Sequence, residues 1–281
     1  MKSFSIDCEL EYDVLQQTLF LFNIAVPPAS GQRVRCESIT LEPAGQFDEF
    51  CDATGANRLL RVNVDPGHFS VRYLAGIDLD APPIDPSADR TPLAVLPPDV
   101  IPYVLASRYC DAEALFALAC EEFGNIAPGY AQVDAVCRWI RANIEYRIGT
   151  SSPTTTARDV VANRAGVCRD FAHLAIALCR ALNIPARFVT GYTRYEDPPQ
   201  DFHAVFEAYL GERWQLFDPT ELAPIDSIVR IGTGRDAGDV AFATLFGSAR
   251  LRRLSPLVEP SNDAAQLVRL QTPTSGVLLA A

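Results

Sequence analysis

The sequence predicts an all-β module followed by an α+β domain, and three observations predict it. Residues 4–14 alternate without a break: Phe4, Ile6, Cys8, Leu10, Tyr12 and Val14 fall on one side, and Ser5, Asp7, Glu9, Glu11 and Asp13 on the other, as in a half-buried strand. Seven of the 21 prolines lie between Pro82 and Pro102, a density that excludes a helix or a central strand. From Asp111 onward the apolar spacing changes from every second residue to every third and fourth.

Each element follows from local pattern. Residues 19–26, 38–42, 58–64 and 69–77 are short β-like runs separated by turn-rich segments such as Pro27-Pro28-Ala29-Ser30-Gly31, which suggests a sandwich-like arrangement over residues 1–80. Residues 81–102 read as an extended, proline-rich connector. Asp111 is placed to cap a helix carrying Leu115, Phe116, Ala119 and Phe123, and a second helix carries Val133, Val136, Cys137, Ile140 and Ile144. A short helix over 157–163 precedes Gly166. A buried helix then runs from about Val167 to Leu182, with Phe171, Leu174, Ala175, Leu178 and Leu182 on its apolar face and Pro185 beyond its end. Three β-like runs follow, at 186–195, 202–210 and 213–217. Helices first and antiparallel strands afterwards make an α+β domain over 103–250. Residues 251–281 hold scattered apolar runs of uncertain structure.

Composition narrows the function. The 281 residues are 48% hydrophobic, ordinary for a globular core, and the net charge of −11 repels phosphate backbones, so no nucleic-acid partner is expected. No run reaches the roughly 18 apolar residues of a membrane helix, and Asp7, Glu9 and Glu11 stand where a signal peptide is apolar. No membrane association and a cytoplasmic location are the expectation. The eight cysteines are then reduced thiols to be sorted rather than bridges. No calcium-loop pattern is present, and neither metal nor cofactor is expected. The oligomeric state is not indicated.

An imidazole base must be His68, His173 or His203. His68 reads as a surface residue beside a Pro-Gly turn. His173 lies five residues after Cys168 on one helix, about 140° around it, so the two do not share a face. His203 opens a strand. Glu207 shares its face but lies about 13 Å along it, too far to orient the ring. With a two-residue turn at Gly211-Glu212, Leu210 pairs with Arg213 and Asp218 falls opposite Val205. That puts Asp218 on the face of His203, one diagonal step away, at about 7–8 Å between Cα atoms. An odd-length loop or a bulge would reverse that face.

Among the thiols, Cys8, Cys120, Cys137 and Cys179 read as small core residues, and Cys36 and Cys51 lie in the β module, away from any base. Cys110 precedes a helix start and can pack as a hydrophobic staple. Cys168 differs, because Gly166-Val167-Cys168-Arg169-Asp170 puts it in the first turn of the buried helix, where free N–H groups favour a thiolate. Lowering a thiol pKa from about 8.5 to about 4 takes roughly 6 kcal/mol, whereas a helix terminus supplies about 0.3 to 2. A neighbouring imidazolium has to supply the rest.

The strings Ala165-Gly166-Val167-Cys168-Arg169-Asp170-Phe171-Ala172-His173-Leu174, His203-Ala204-Val205-Phe206-Glu207-Ala208 and Trp214-Gln215-Leu216-Phe217-Asp218-Pro219-Thr220 resemble the cysteine, histidine and aspartate motifs of the transglutaminase-like superfamily. The resemblance covers about residues 100 to 250, and the β module resembles the N-terminal region of bacterial members. It implies a papain-like α+β fold, with Cys168 as nucleophile, His203 as general base and then acid, and Asp218 holding the imidazole tautomer. It further implies that the Cys168 backbone N–H serves the oxyanion hole and that His173 is structural. The expected activity is a cysteine protease or amidase acting on a peptide or protein amide through an acyl-enzyme. The alternatives are transfer of the acyl group to an amine and a binding module without turnover.

Overall fold

A computed structural model describes residues 1–29 and 31–261. The first module contains β1 (Lys2–Val14), β2 (Thr18–Phe22), β3 (Gln32–Glu42), β4 (Asp48–Cys51), β5 (Arg58–Val64) and β6 (Gly67–Leu79). The alternation of residues 4–14 is reproduced in β1, where every apolar residue from Phe4 to Val14 is buried.

The second module contains α1 (Phe116–Phe123), α2 (Tyr130–Asn143), β7 (Glu145–Tyr146), α3 (Ala157–Asn163), β8 (Ala165–Gly166), α4 (Cys168–Ala181), β9 (Ala186–Tyr192), β10 (His203–Leu210), β11 (Arg213–Phe217) and β12 (Val229–Gly234). The chain then returns to the first module as β13 (Ala243–Phe246) and β14 (Ala249–Pro260).

Two four-stranded antiparallel sheets result in the first module, ordered β14-β1-β6-β3 and β13-β2-β5-β4, and their inward side chains form one apolar core. Tyr12 and Phe20 meet across it at 5.0 Å between ring centroids. The final strands therefore complete the first module instead of following the second, a placement that the apolar pattern does not disclose. Edge strand β14 lies along β1 from Phe4 opposite Pro260 to Val14 opposite Ala249. It is held partly by charge: Arg252 pairs with Asp13, and Arg253 with Glu9 and Glu11. Pro256 is tolerated there because an edge strand has one unpaired side. Residues 262–281 of the C-terminal segment lie outside the described residues.

In the second module an antiparallel sheet ordered β11-β10-β9-β12 packs on α4, whose residues from Asp170 to Ala181 are all buried. Helix α4 ends in a reciprocal cap. Ile184 N–H donates to the Cys179 carbonyl (2.9 Å) and Asn183 N–H to that of Arg180 (2.9 Å), with Asn183 at φ 59°.

Two expectations change. Asp111 does not cap the helix after it, which begins with a 3-10 turn at Ala112–Leu115; its carboxylate accepts the Arg158 N–H (3.1 Å) and the Thr156 hydroxyl (3.3 Å) at the start of α3. Phe116 and Cys120 are exposed because Leu115, Ala119 and Phe123, spaced by four, supply the buried stripe of that segment. Among the described residues no helix is long and apolar enough to cross a membrane.

Candidate active site

Helix α4 begins where two short strands bring the chain close to itself. β8 pairs in parallel with β7, Gly166 lying opposite Tyr146. The Asp170 carboxylate reaches back to accept the Val167 N–H (3.0 Å), and its other oxygen accepts the Ser151 hydroxyl (2.9 Å). A Cβ at residue 166 would stand 2.7 Å from Asp170 Cβ, so glycine is the residue that permits this closure. Cys168 is consequently fixed as the first residue of the helix, half-buried, with Sγ 3.9 Å from the carbonyl oxygen of Phe202.

Phe202 immediately precedes His203, and the turn between β10 and β11 determines what meets that ring. Gly211 (φ 57°) and Glu212 (φ 62°) both adopt left-handed backbone, as a type I′ turn requires, and Leu210 faces Arg213 while Phe206 faces Phe217. Asp218 follows one residue later and meets His203: Nε2–H donates to Asp218 Oδ2 at 2.8 Å. The second carboxylate oxygen accepts the Thr220 N–H (2.8 Å) and hydroxyl (2.6 Å), which fixes the carboxylate plane.

Electrostatics agree with this geometry. Burial opposes charge on His203, but the Asp218 hydrogen bond and the Cys168 sulfur outweigh it and raise the imidazole to about 10. Burial likewise opposes the Asp218 carboxylate, yet its bonds to His203 and Thr220 hold it below the usual range. Beside Asp218, the buried His203 ring has the Cys168 sulfur as its other hydrogen-bonding neighbour.

The other candidates separate clearly. His173 is wholly buried between Tyr109 (5.0 Å) and Phe188 (4.9 Å), and its Nε2 accepts the Ala237 N–H at 3.1 Å. Desolvation holds that ring far below its ordinary pKa, so it is neutral. Burial pushes the Cys8, Cys110 and Cys179 thiols up to about 12. Glu207 bonds to Arg187 and Arg230 instead of His203.

Two neighbours of the site escape sequence reasoning. The Tyr146 phenol lies against the backbone and sulfur of Cys168, and the Tyr195 ring lies 5.6 Å from that of His203. Thr220, which holds the Asp218 carboxylate, falls within the Trp214–Thr220 motif string, whereas Tyr146 and Tyr195 fall in none of the three.

Comparison with known proteins gives this arrangement its context. The core model of the transglutaminase-like superfamily matches residues 118–219, and that of the bacterial transglutaminase N-terminal domain matches residues 1–97. A crystal structure described as a putative cysteine protease from Cytophaga hutchinsonii is 38% identical, with a TM-score of 0.89, and the match covers 100% of this chain and 94% of that one. The chain belongs to the transglutaminase-like superfamily.

Membership brings the papain-like core fold and supports cysteine-based acyl-transfer or hydrolase chemistry. An uncharacterized Mycobacterium leprae protein is 35% identical over 120 residues, covering 39% of this chain and 42% of that protein. A Mycobacterium tuberculosis relative is 33% identical over 115 residues, covering 36% and 37%. The matched stretch thus spans less than half the length of these curated relatives.

Proposed function

We propose that this transglutaminase-like protein is a cysteine protease or amidase in which Cys168, His203 and Asp218 form the catalytic triad. The observation that carries the reading is the position of the His203 ring, bonded to Asp218 at 2.8 Å on one nitrogen and raised in basicity by the Cys168 sulfur. Alternation of β1 with its counterparts in β2 and β5, whose inward residues share one core, supports a sandwich for the first module.

The chemistry follows from that position. Cys168 sulfur attacks the amide carbonyl carbon, and the carbonyl π electrons move onto oxygen. The Cys168 backbone N–H, which has no partner within the helix and lies against the Tyr146 phenol, turns to that oxyanion when substrate enters, and the Tyr146 hydroxyl is the second donor. As the C–N bond breaks, the imidazolium hands its Nδ1 proton to the leaving amine, which leaves a thioester on Cys168. Neutral His203 then deprotonates water. The resulting attack releases the acid, returns the electron pair to sulfur and leaves the proton on the ring. Asp218 keeps Nε2 protonated throughout, so Nδ1 is the nitrogen that exchanges protons.

The test is intact-mass analysis of the wild type and Cys168→Ala after rapid mixing with a peptide-amide library, with and without a primary amine. A transient acyl adduct on the wild type and released acid are expected. Amide exchange onto the added amine in place of acid would reassign the enzyme as an acyltransferase. An adduct that persists in Cys168→Ala would refute the triad.

A further inference from the structure

The residue before His203 is anchored outside the module that contains the site. The Phe202 ring is buried in the apolar core of the first module, stacked on Phe242 at 5.0 Å and 16° and lying 5.5 Å from Tyr192. Both partners are tied to the segment that follows β2: Tyr192 donates its hydroxyl to the Ile24 carbonyl (2.7 Å), and the Phe242 carbonyl accepts the Asn23 N–H (3.0 Å).

Two residues earlier, the Gln200 side-chain oxygen accepts the N–H of Val258, on the strand that closes the first module (2.9 Å). Between them, Asp201 is clipped to Tyr195, whose hydroxyl accepts the Asp201 N–H (2.8 Å) and donates to its carbonyl (3.0 Å). The chain entering β10 is therefore held at residues 200 and 202 by the first module, and the held peptide carries the Phe202 carbonyl that lies 3.9 Å from Cys168 Sγ.

We propose that the first module is a positioning element for the thiol–imidazole pair, acting through Phe202 and Gln200. The inference rests on the triad reading of Cys168 and His203 and assigns the first module a task within it. Burial of a phenylalanine ring resists movement because leaving the core re-exposes its whole apolar surface. A single peptide bond joins Phe202 to His203, so the fixed ring fixes the imidazole. A displacement of about 1 Å at a reacting pair is enough to cost roughly 10²-fold in rate.

The test measures the rate of Cys168 alkylation by iodoacetamide from pH 5 to 9, together with thermal melting. It uses the full chain as wild type, His203→Ala, Phe202→Ala, Phe202→Leu, Gln200→Ala and Val62→Ala, with exposed Cys51 as the internal reference. In Phe202→Ala the rate near pH 6 should fall on the order of 10²-fold, and the pH profile should approach that of His203→Ala. Phe202→Leu should recover part of the rate, and Gln200→Ala should lose some rate with its melting temperature unchanged.

Val62 is buried in the same core but on β5, so Val62→Ala should lower the melting temperature and leave the pH profile intact. A wild-type profile in folded Phe202→Ala or Phe202→Leu and in Gln200→Ala would overturn the proposal, as would a Val62→Ala profile displaced as far as that of Phe202→Ala. If wild type and His203→Ala already share one profile, the triad reading itself fails, and that comparison is independent of the Phe202 variants.

Discussion

Strand β10 buries two ionisable clusters on one face, four residues apart, and they are constructed in opposite ways. At Glu207 both oxygens of the carboxylate are partnered within the protein. One carboxylate oxygen accepts Arg187 (2.6 and 2.7 Å), the other accepts Arg230 (2.7 and 2.9 Å), and the Arg187 guanidinium lies 4.2 Å over Trp214. At His203 one side of the ring is held by Asp218, through Nε2 at 2.8 Å, and the ring's other hydrogen-bonding neighbour is the half-buried Cys168 sulfur. Access distinguishes the two clusters: the Glu207 carboxylate is closed off between guanidinium groups, whereas the sulfur beside His203 is half-buried and open to a reagent.

The largest effect is expected at the His203 end, where the proposed nucleophile lies. Cys168→Ala should reduce amide turnover by about 10⁴-fold or more, about 5.5 kcal/mol of transition-state stabilisation, with the melting temperature held. At the other end, Glu207→Ala leaves two cations without their partner. It should cost about 3–5 kcal/mol in denaturant unfolding while the alkylation profile of Cys168 stays that of the wild type.

Tyr146→Phe removes the proposed second donor beside Cys168. Loss of one oxyanion donor should lower kcat about 10²-fold, near 2.7 kcal/mol, with KM unchanged, in steady-state assays.

The smallest effect concerns His173, a histidine enclosed as Glu207 is. Its ring stays neutral when folded, whereas the unfolded ring takes a proton below about pH 6.5. Stability from this residue is therefore complete above pH 6.5 and lost as pH falls, by at most about 1.36 kcal/mol per unit. His173→Gln should flatten that slope in unfolding measured between pH 4.5 and 7.

The features legible in the sequence are those governed by local rules. Alternation discloses β1, the 3.6 period discloses α2 and α4, and the Gly211-Glu212 turn sets the register that brings Asp218 to His203. Illegible elements owe their place to partners distant in the chain. β12 contains Gly232 and Gly234, which weaken a strand signal, and a Cβ at residue 232 would stand 2.5 Å from Asn57 Oδ1 in the first module. β14 reads as charged and proline-broken because it docks through arginines onto the acidic face of β1. Asp111 looks like a cap for the segment it precedes, yet it caps α3, 45 residues away, through a contact that no spacing announces. Tyr146 and Phe202 come to the site in the same way, one through a two-residue parallel pairing and the other through the core of a different module.

In the proposed triad His203 makes Cys168 the reactive thiol. Its most direct test is limiting iodoacetamide alkylation of the wild type and His203→Ala from pH 4 to 9, with each modified cysteine mapped by peptide mass. The predicted result is that wild-type Cys168 reacts well below pH 8, ahead of the exposed Cys51 and Cys120, and loses that advantage in His203→Ala. Equal reactivity of Cys168 in the two proteins, or a rate no greater than that of Cys51 and Cys120, would contradict it.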